Sequence, residues 1–171
     1  LHQTKVGDNH DRIVDALKTA LKRSDAVICC GGLGPTQDDI TRDAIAEVMG
    51  VKLEFDPEIA KIIRDMFESR GRTMPDNNLS QANIPKGAVA IPEQPGTAPG
   101  LICPIANQVI YAVPGVPYEM HQMMESAILP DLLKRSGTKA IIKSKVLKTW
   151  GHSESRLAEI LSDRIEQLDE K

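Results

Sequence analysis

Apolar positions recur in two rhythms along the chain, one helical and one strand-like, and their alternation predicts an α/β protein. Residues 10–23 read as a helix, with Ile13, Leu17 and Leu21 on one face and Val14 and Ala20 beside them. Residues 25–30 form a short continuous apolar run, the pattern of a strand buried on both faces. A second helix is predicted over 39–49, where Ile40, Ala44, Ile45 and Val48 make a stripe and Gly50 suits the end. Asp56-Pro57 starts a third, with Ile59, Ile62, Ile63 and Met66 facing a core and Gly71 closing it. Residues 3–6 read as the end of a strand before the turn Gly7-Asp8-Asn9. The Pro-, Gly- and Asn-rich stretch 72–100 predicts a short helix over 75–82 and a short strand over 88–91. Residues 101–103 and 108–113 are expected to pair across a turn at Ala106-Asn107, and a helix follows from 117 to about 133.

After Gly137 the pattern changes. Residues 140–149 read as a long basic strand and 153–168 as an amphipathic helix, with Leu157, Ile160, Leu161, Ile165 and Leu168 inward. The expected organisation is a main domain over 1–136 and the start of a second, cut short, over 137–171. The main domain is expected to be a three-layer αβα fold on a mostly parallel sheet. In such sheets ligands sit beyond the carboxyl ends of the strands, which places the loops after Cys30 and Val113 at one rim.

Composition narrows the function classes. Aromatic residues make up only 3% of the 171, so the core rests on aliphatic side chains and stacking on bases is not its business. A net charge of -3 without a long basic run means that nucleic acid is not an expected partner. The three cysteines lack the spaced pairs of a disulfide framework, and Cys29 and Cys30, ending an apolar run, are expected as buried reduced thiols. No apolar stretch is long enough to span a membrane and no signal peptide is visible, so the expected location is the cytoplasm. The chain starts at Leu1 rather than Met and is expected to be a fragment.

Three loops could carry chemistry. The first is Gly31-Gly32-Leu33-Gly34-Pro35-Thr36-Gln37-Asp38-Asp39, between a predicted strand and a predicted helix. Glycines there allow close backbone approach, and a helix N-terminus behind them suits phosphate. The same residues also read as a tight turn with Thr36 and Asp39 as a capping box. Asp38 and Asp39 would repel a polyphosphate unless a divalent cation bridged carboxylate and phosphate oxygens. They also read as ordinary acids at a helix start. The second loop, Val113-Pro114-Gly115-Val116-Pro117, repeats the design and leads to Glu119, either a ligand-facing acid or a first-turn helix acid. The third, Gly96-Thr97-Ala98-Pro99-Gly100, is a loop of small residues that could equally be plain connection. His2, His10, His121 and His152 show no metal-ligand spacing.

The stretch from Gly31 to Asp39, continuing Ile40-Thr41, resembles the signature of the CinA family (competence/damage-inducible protein A). Asn83-Ile84-Pro85, the Gly96 to Gly100 loop and Val113 to Met120 resemble further family motifs in the right order. Trp150-Gly151-His152-Ser153-Glu154-Ser155 resembles the start of the family's KH-like middle domain. The resemblance implies a molybdopterin-binding fold, as in molybdenum cofactor biosynthesis proteins, followed by the start of a KH-like α+β domain. It implies a further strand upstream of residue 1. It also implies that the family's amidohydrolase domain lies beyond this chain, so deamidation of nicotinamide mononucleotide is not expected here. It implies ADP-ribose pyrophosphatase activity dependent on a divalent metal, Mg2+ or Co2+. Related molybdopterin adenylyltransferases carry an Asp matching Asp39 and another matching Asp8, which adds Asp8 to the site; its other reading is a cap for the first helix. The expected roles are Asp8 and Asp39 catalytic, Asp38 and Asp39 metal-holding, and Gly31, Gly32, Leu33, Gly34, Pro35, Thr36, Gly96, Thr97, Ala98, Gly115, Val116, Pro117 and Glu119 ligand-binding. A homodimer is expected, from the resemblance and from the edge of the strand over 140–149. Three activities stay open: hydrolysis of a nucleotide-sugar diphosphate, nucleotide transfer to molybdopterin, and ligand binding that only regulates.

Overall fold

Asn9 opens the first helix, α1 (His10–Leu21), by accepting the amide of Arg12 on its side-chain oxygen at 3.1 Å. The computed structural model describes residues 2–92, 94–137, 144–146 and 148–169. After α1 come β1 (Ala26–Cys30), α2 (Thr41–Met49), β2 (Leu53–Phe55) and α3 (Pro57–Glu68). Asp56 caps α3 by accepting from the amides of Glu58 and Ile59. A 3-10 helix (Asp76–Ala82), β3 (Asn83–Pro85) and β4 (Val89–Ala90) lead to the hairpin of β5 (Leu101–Ile105) and β6 (Gln108–Val113). Then α4 (Pro117–Met123) passes through a π turn (Met124–Ile128) into α5 (Leu129–Ser136).

The main sheet has the order β1-β6-β5-β4. β1 and β6 are parallel, with Cys30 opposite Val113, whereas β5 and β4 join antiparallel. The sheet is therefore mixed, its parallel pair sitting where the crossover from β1 to β6 returns. β2 and β3 form a separate antiparallel pair. Three-residue strands are too short to show a period, which is why the sequence did not reveal them.

Side chains alternate along β6 and bind helices to both faces. Ile110 and Ala112 join Val14, Leu17, Ile45, Ile59 and Ile63 from α1, α2 and α3 in one core cluster. Val109, Tyr111 and Val113 face the other way, against Met123 and Ile128. This gives the three αβα layers.

Several expectations are corrected. Residues 2–9 form no strand. Strand β1 is not buried on both faces: Ile28 is 46% exposed and Cys30 is exposed. Among the described residues β1 is an edge strand paired with β6 alone, and the second core cluster packs over β6. Cys30 is thus not a buried thiol, whereas Cys103 is, and burial pushes the Cys29 and Cys103 thiols up to about 12. On α3, Ile59, Ala60 and Ile63 are buried but Ile62 stays 42% exposed.

The chain divides into two units, Leu1–Thr138 and Lys139–Lys171. In the second, α6 (Glu154–Asp169) carries the expected apolar stripe, yet Ile160, Leu161, Ile165 and Leu168 are exposed rather than inward. Among the described residues this unit has no second layer for them to pack on. Of the strand expected over 140–149, residues 140–143 and 147 lie outside the described residues, and 144–146 and 148–149 carry no regular structure.

One buried group makes a pH prediction. Tyr111 Oη donates to Asp131 Oδ2 at 2.7 Å, and Arg135 Nε donates to the same oxygen at 2.6 Å. Burial, then the Asp131 carboxylate, push the Tyr111 phenol up to about 12. An unfolded tyrosine ionises near ~10, so above that pH the unfolded chain releases the proton first and stability falls as pH rises toward the folded value. Urea denaturation at stepped pH should show this loss in wild type and a shallower one in Tyr111→Phe. Equal slopes in the two proteins would contradict the assignment.

Candidate ligand and metal site

The chain leaves β1 through two glycines in left-handed conformation, Gly31 at φ 100° and Gly32 at φ 68°. A Cβ on Gly32 would run into the Thr41 hydroxyl, so that position tolerates no side chain for two reasons. Thr41 Oγ1 donates to the Gly31 carbonyl at 2.9 Å, and the Thr41 amide donates to the Gly32 carbonyl at 3.1 Å. The loop is thus stitched back onto the first residue of α2.

A buried guanidinium holds the next two residues. Arg42 is 4% exposed; its Nη1 donates to the Leu33 carbonyl and its Nη2 to the Gly34 carbonyl at 3.0 Å. Burial pushes the Arg42 pKa down, while Asp43 and Asp39 act in the opposite direction. Sequence reasoning missed Arg42. The signal was its spacing: it stands three and four residues before Ile45 and Ala46, on the face of α2 that is buried.

The two acids do not begin the helix. The Asp39 amide donates to the Thr36 carbonyl and the Ile40 amide to the Asp38 carbonyl, so both acids belong to a turn that precedes α2. The N-cap of α2 is Ile40, with no side-chain cap. This removes the reading of Asp38 and Asp39 as first-turn acids. Asp39 Oδ2 accepts from the Thr36 amide at 2.9 Å and the Thr36 hydroxyl at 2.6 Å, and the same hydroxyl lies against Asp38 Oδ1. Burial pushes the Asp39 carboxyl upward, but Thr36, the Gly34 amide and Arg42 outweigh it and hold the acid below the usual range. A Cβ on Gly34 would strike this carboxylate.

One hydroxyl has one proton, so it cannot satisfy two carboxylate oxygens at once. The surplus negative charge, presented by hard oxygen donors, fits a hard divalent cation that takes one or two carboxylates and completes its shell with water or phosphate. Among the described residues no group of three acidic, His or Cys side chains gathers to make an all-protein metal cage.

The loop after β6 meets this one, and the Gly96 loop meets the helix that follows β6. The Gly31 amide donates to the Val113 carbonyl at 2.9 Å, and a Cβ on Gly115 would lie 3.6 Å from Gly31 Cα. Gly96 is buried against Glu119, whose carboxylate leaves no room for a Cβ there, and burial pushes the Glu119 pKa up. Val116 and Pro117 are exposed, Thr97 and Ala98 half-buried. Asp8 is exposed and does not cap α1, which Asn9 does. Asp8 lines a groove of about 520 Å³ along β1, together with Gly31, Gly32 and Thr41. Asp8 thus shares a groove with the first two glycines, and the acid pair stands at the other end of the loop.

A family model described as "Probable molybdopterin binding domain" matches residues 1–134. A CinA-like protein of Frankia casuarinae is 45% identical over 170 residues, covering 96% of this chain and 39% of that protein. A CinA-like protein of a Nostoc species is 47% identical over 159 residues, covering 92% and 38%. The chain therefore spans about two-fifths of the length of these curated relatives. The crystal structure of the CinA protein of Thermoplasma acidophilum, described as of unknown function, matches with a TM-score of 0.66 at 35% identity over 73% of each chain.

The loop geometry yields a stability prediction. Arg42→Leu strips two carbonyls of a charged donor and should lower unfolding free energy by roughly 1.5–3 kcal/mol. Arg42→Lys, with one donor centre in place of the planar fork, should recover only part of this. Denaturant titration measures both, and a wild-type midpoint in Arg42→Leu would contradict the role given to the guanidinium.

Proposed function

The chain belongs to the CinA family, and on that premise we propose that its glycine loop binds the diphosphate of a nucleotide sugar such as ADP-ribose and promotes metal-dependent hydrolysis of that diphosphate. The observation that carries the reading is the convergence of Asp38 and Asp39 on the single hydroxyl of Thr36, at the end of a loop built for close backbone approach. A phosphate there would approach the N-terminus of α2, which has no side-chain cap and whose Thr41 amide is already bound to the Gly32 carbonyl, so the helix would contribute its partial positive charge. Asp38 and Asp39 would hold the cation. When bound, a divalent cation would polarise a phosphoryl oxygen and lower the pKa of a coordinated water. The protein's own share is positioning: Arg42 and Thr41 fix the loop, and the Gly31 amide ties its start to the Val113 carbonyl at the end of β6. Asp8, in the groove at the start of the loop, would accept a proton from the attacking water. Glu119, with its raised pKa, would accept ribose hydroxyls.

A second reading has one observation in its favour, the description of the matching family model. Molybdopterin also carries a phosphate, and the same loop would receive it. Incubation with ADP-ribose and, separately, with adenylated molybdopterin, with and without Mg2+ or Co2+, separates the readings by product.

Within the hydrolytic reading, Asp39→Asn and Asp38→Asn should each lower turnover of ADP-ribose at saturating metal by about 100-fold or more. Asparagine keeps an acceptor for Thr36, so both variants should stay folded, with Asp39→Asn melting somewhat below wild type because the charged form that Thr36, the Gly34 amide and Arg42 favour is lost. Near-normal turnover in both folded variants would remove the metal role of the pair.

A further inference from the structure

Gln81 is a buried polar side chain that the glycine loop does not explain. It has 0% exposure, at the end of the 3-10 helix (Asp76–Ala82). Its Nε2 donates to Asn78 Oδ1 at 3.1 Å and to the Asn78 carbonyl at 3.4 Å. Asn78, itself 7% exposed, donates through Nδ2 to the Pro75 carbonyl at 3.3 Å. The amide end of Gln81 is thereby locked, which fixes where its carbonyl oxygen points. That oxygen accepts from Thr97 Oγ1 at 3.5 Å.

Thr97, which donates this bond, sits in a segment with few other ties among the described residues. Ile91 donates its amide to the Gly100 carbonyl at 2.8 Å, closing the base of the loop. Between those ends, Ala98 packs on the core and Gly96 lies against Glu119. A buried glutamine costs stability unless its polar atoms are satisfied, and a leucine would fill the volume without that demand. Gln81 is thus placed where it serves the loop.

Resting on the reading of this rim as a diphosphate site, we infer that Gln81 is a positioning residue. Through Thr97 it holds the Gly96 to Ala98 backbone against Glu119, so that the wall of the site is ordered before the ligand arrives. It touches no reacting atom, so its loss weakens ligand capture and leaves the chemical step alone. A preordered loop spares the ligand the entropy of ordering it.

The test pairs loop dynamics with kinetics. In Gln81→Met, which keeps the volume, 15N order parameters of Gly96, Thr97 and Ala98 should fall from the rigid range near ~0.85 toward ~0.6 or below. KM for ADP-ribose should rise about two- to threefold with kcat unchanged, the size expected for losing one long hydrogen bond. Thr97→Val should give the same loss of order, and Thr97→Ser, which keeps the hydroxyl, should restore it. Thr97→Val cuts the Thr97 link alone and leaves the bonds of Gln81 to Asn78 in place, so its loss of order should be confined to the Gly96 to Ala98 segment. Unchanged order parameters in folded Gln81→Met and Thr97→Val would overturn the inference, as would a Thr97→Ser variant as disordered as Thr97→Val. If Gln81→Met fails to fold, the Thr97 pair still decides it. If wild type neither binds nor hydrolyses ADP-ribose, the proposed function fails, while the order parameters still decide the role of Gln81.

Discussion

A buried guanidinium must be hydrogen-bonded, and Arg42 meets that demand with the carbonyls of the glycine loop. This contact sets the path of the chain from β1 to α2. Leu33 and Gly34 have to turn their carbonyls inward to reach it, which carries Thr36, Asp38 and Asp39 outward to the rim. Thr41 adds the second tie, from the neighbouring helical position to the Gly31 carbonyl. The loop therefore has a defined shape without regular secondary structure. Its acids are held together by that shape and not by a helix.

The sheet supplies the other half of the arrangement. Because β1 and β6 are parallel and Cys30 stands opposite Val113, both strands end at one level and both following turns leave from it. Gly31 and Gly115 lie near each other there: a Cβ on Gly115 would sit 3.6 Å from Gly31 Cα, an ordinary van der Waals contact. The β5–β6 hairpin runs antiparallel, so the segment that precedes β5 returns to the same end of the sheet and places Gly96 beside Glu119. Three loops distant in sequence thus converge around small residues, as a ligand approaching backbone requires.

Much of this was legible from residues with strong local preferences. Asp56-Pro57 marked a helix start, and Ala106-Asn107 marked the hairpin, where Ala106 takes a φ of 47°. The family resemblance found the glycine loop. What sequence could not show was non-local. Ile28 and Cys30 are exposed because, among the described residues, β1 has a neighbour on one side only, which no local pattern encodes. The start of α2 was misplaced by two residues because Asp39 spends its carboxylate on a turn of its own. Arg42 and Gln81 do not stand out in the sequence, since a charge or an amide in an amphipathic pattern usually lies at the surface. Their burial became visible only with the backbone carbonyls and the Thr97 hydroxyl they serve.

The central claim is that phosphate-bearing ligand is held by the backbone of the glycine loop with the acid pair at its end. Amide chemical-shift mapping of the 15N-labelled protein, titrated with ADP-ribose in the presence and absence of Mg2+, tests this most directly. The account predicts the largest shifts at Gly31, Gly32, Leu33, Gly34 and Thr36, with weaker ones at Gly96 and Gly115, and a marked strengthening with Mg2+ centred on Asp38 and Asp39. Saturable shifts confined to other parts of the chain, with the glycine loop unmoved, would contradict it.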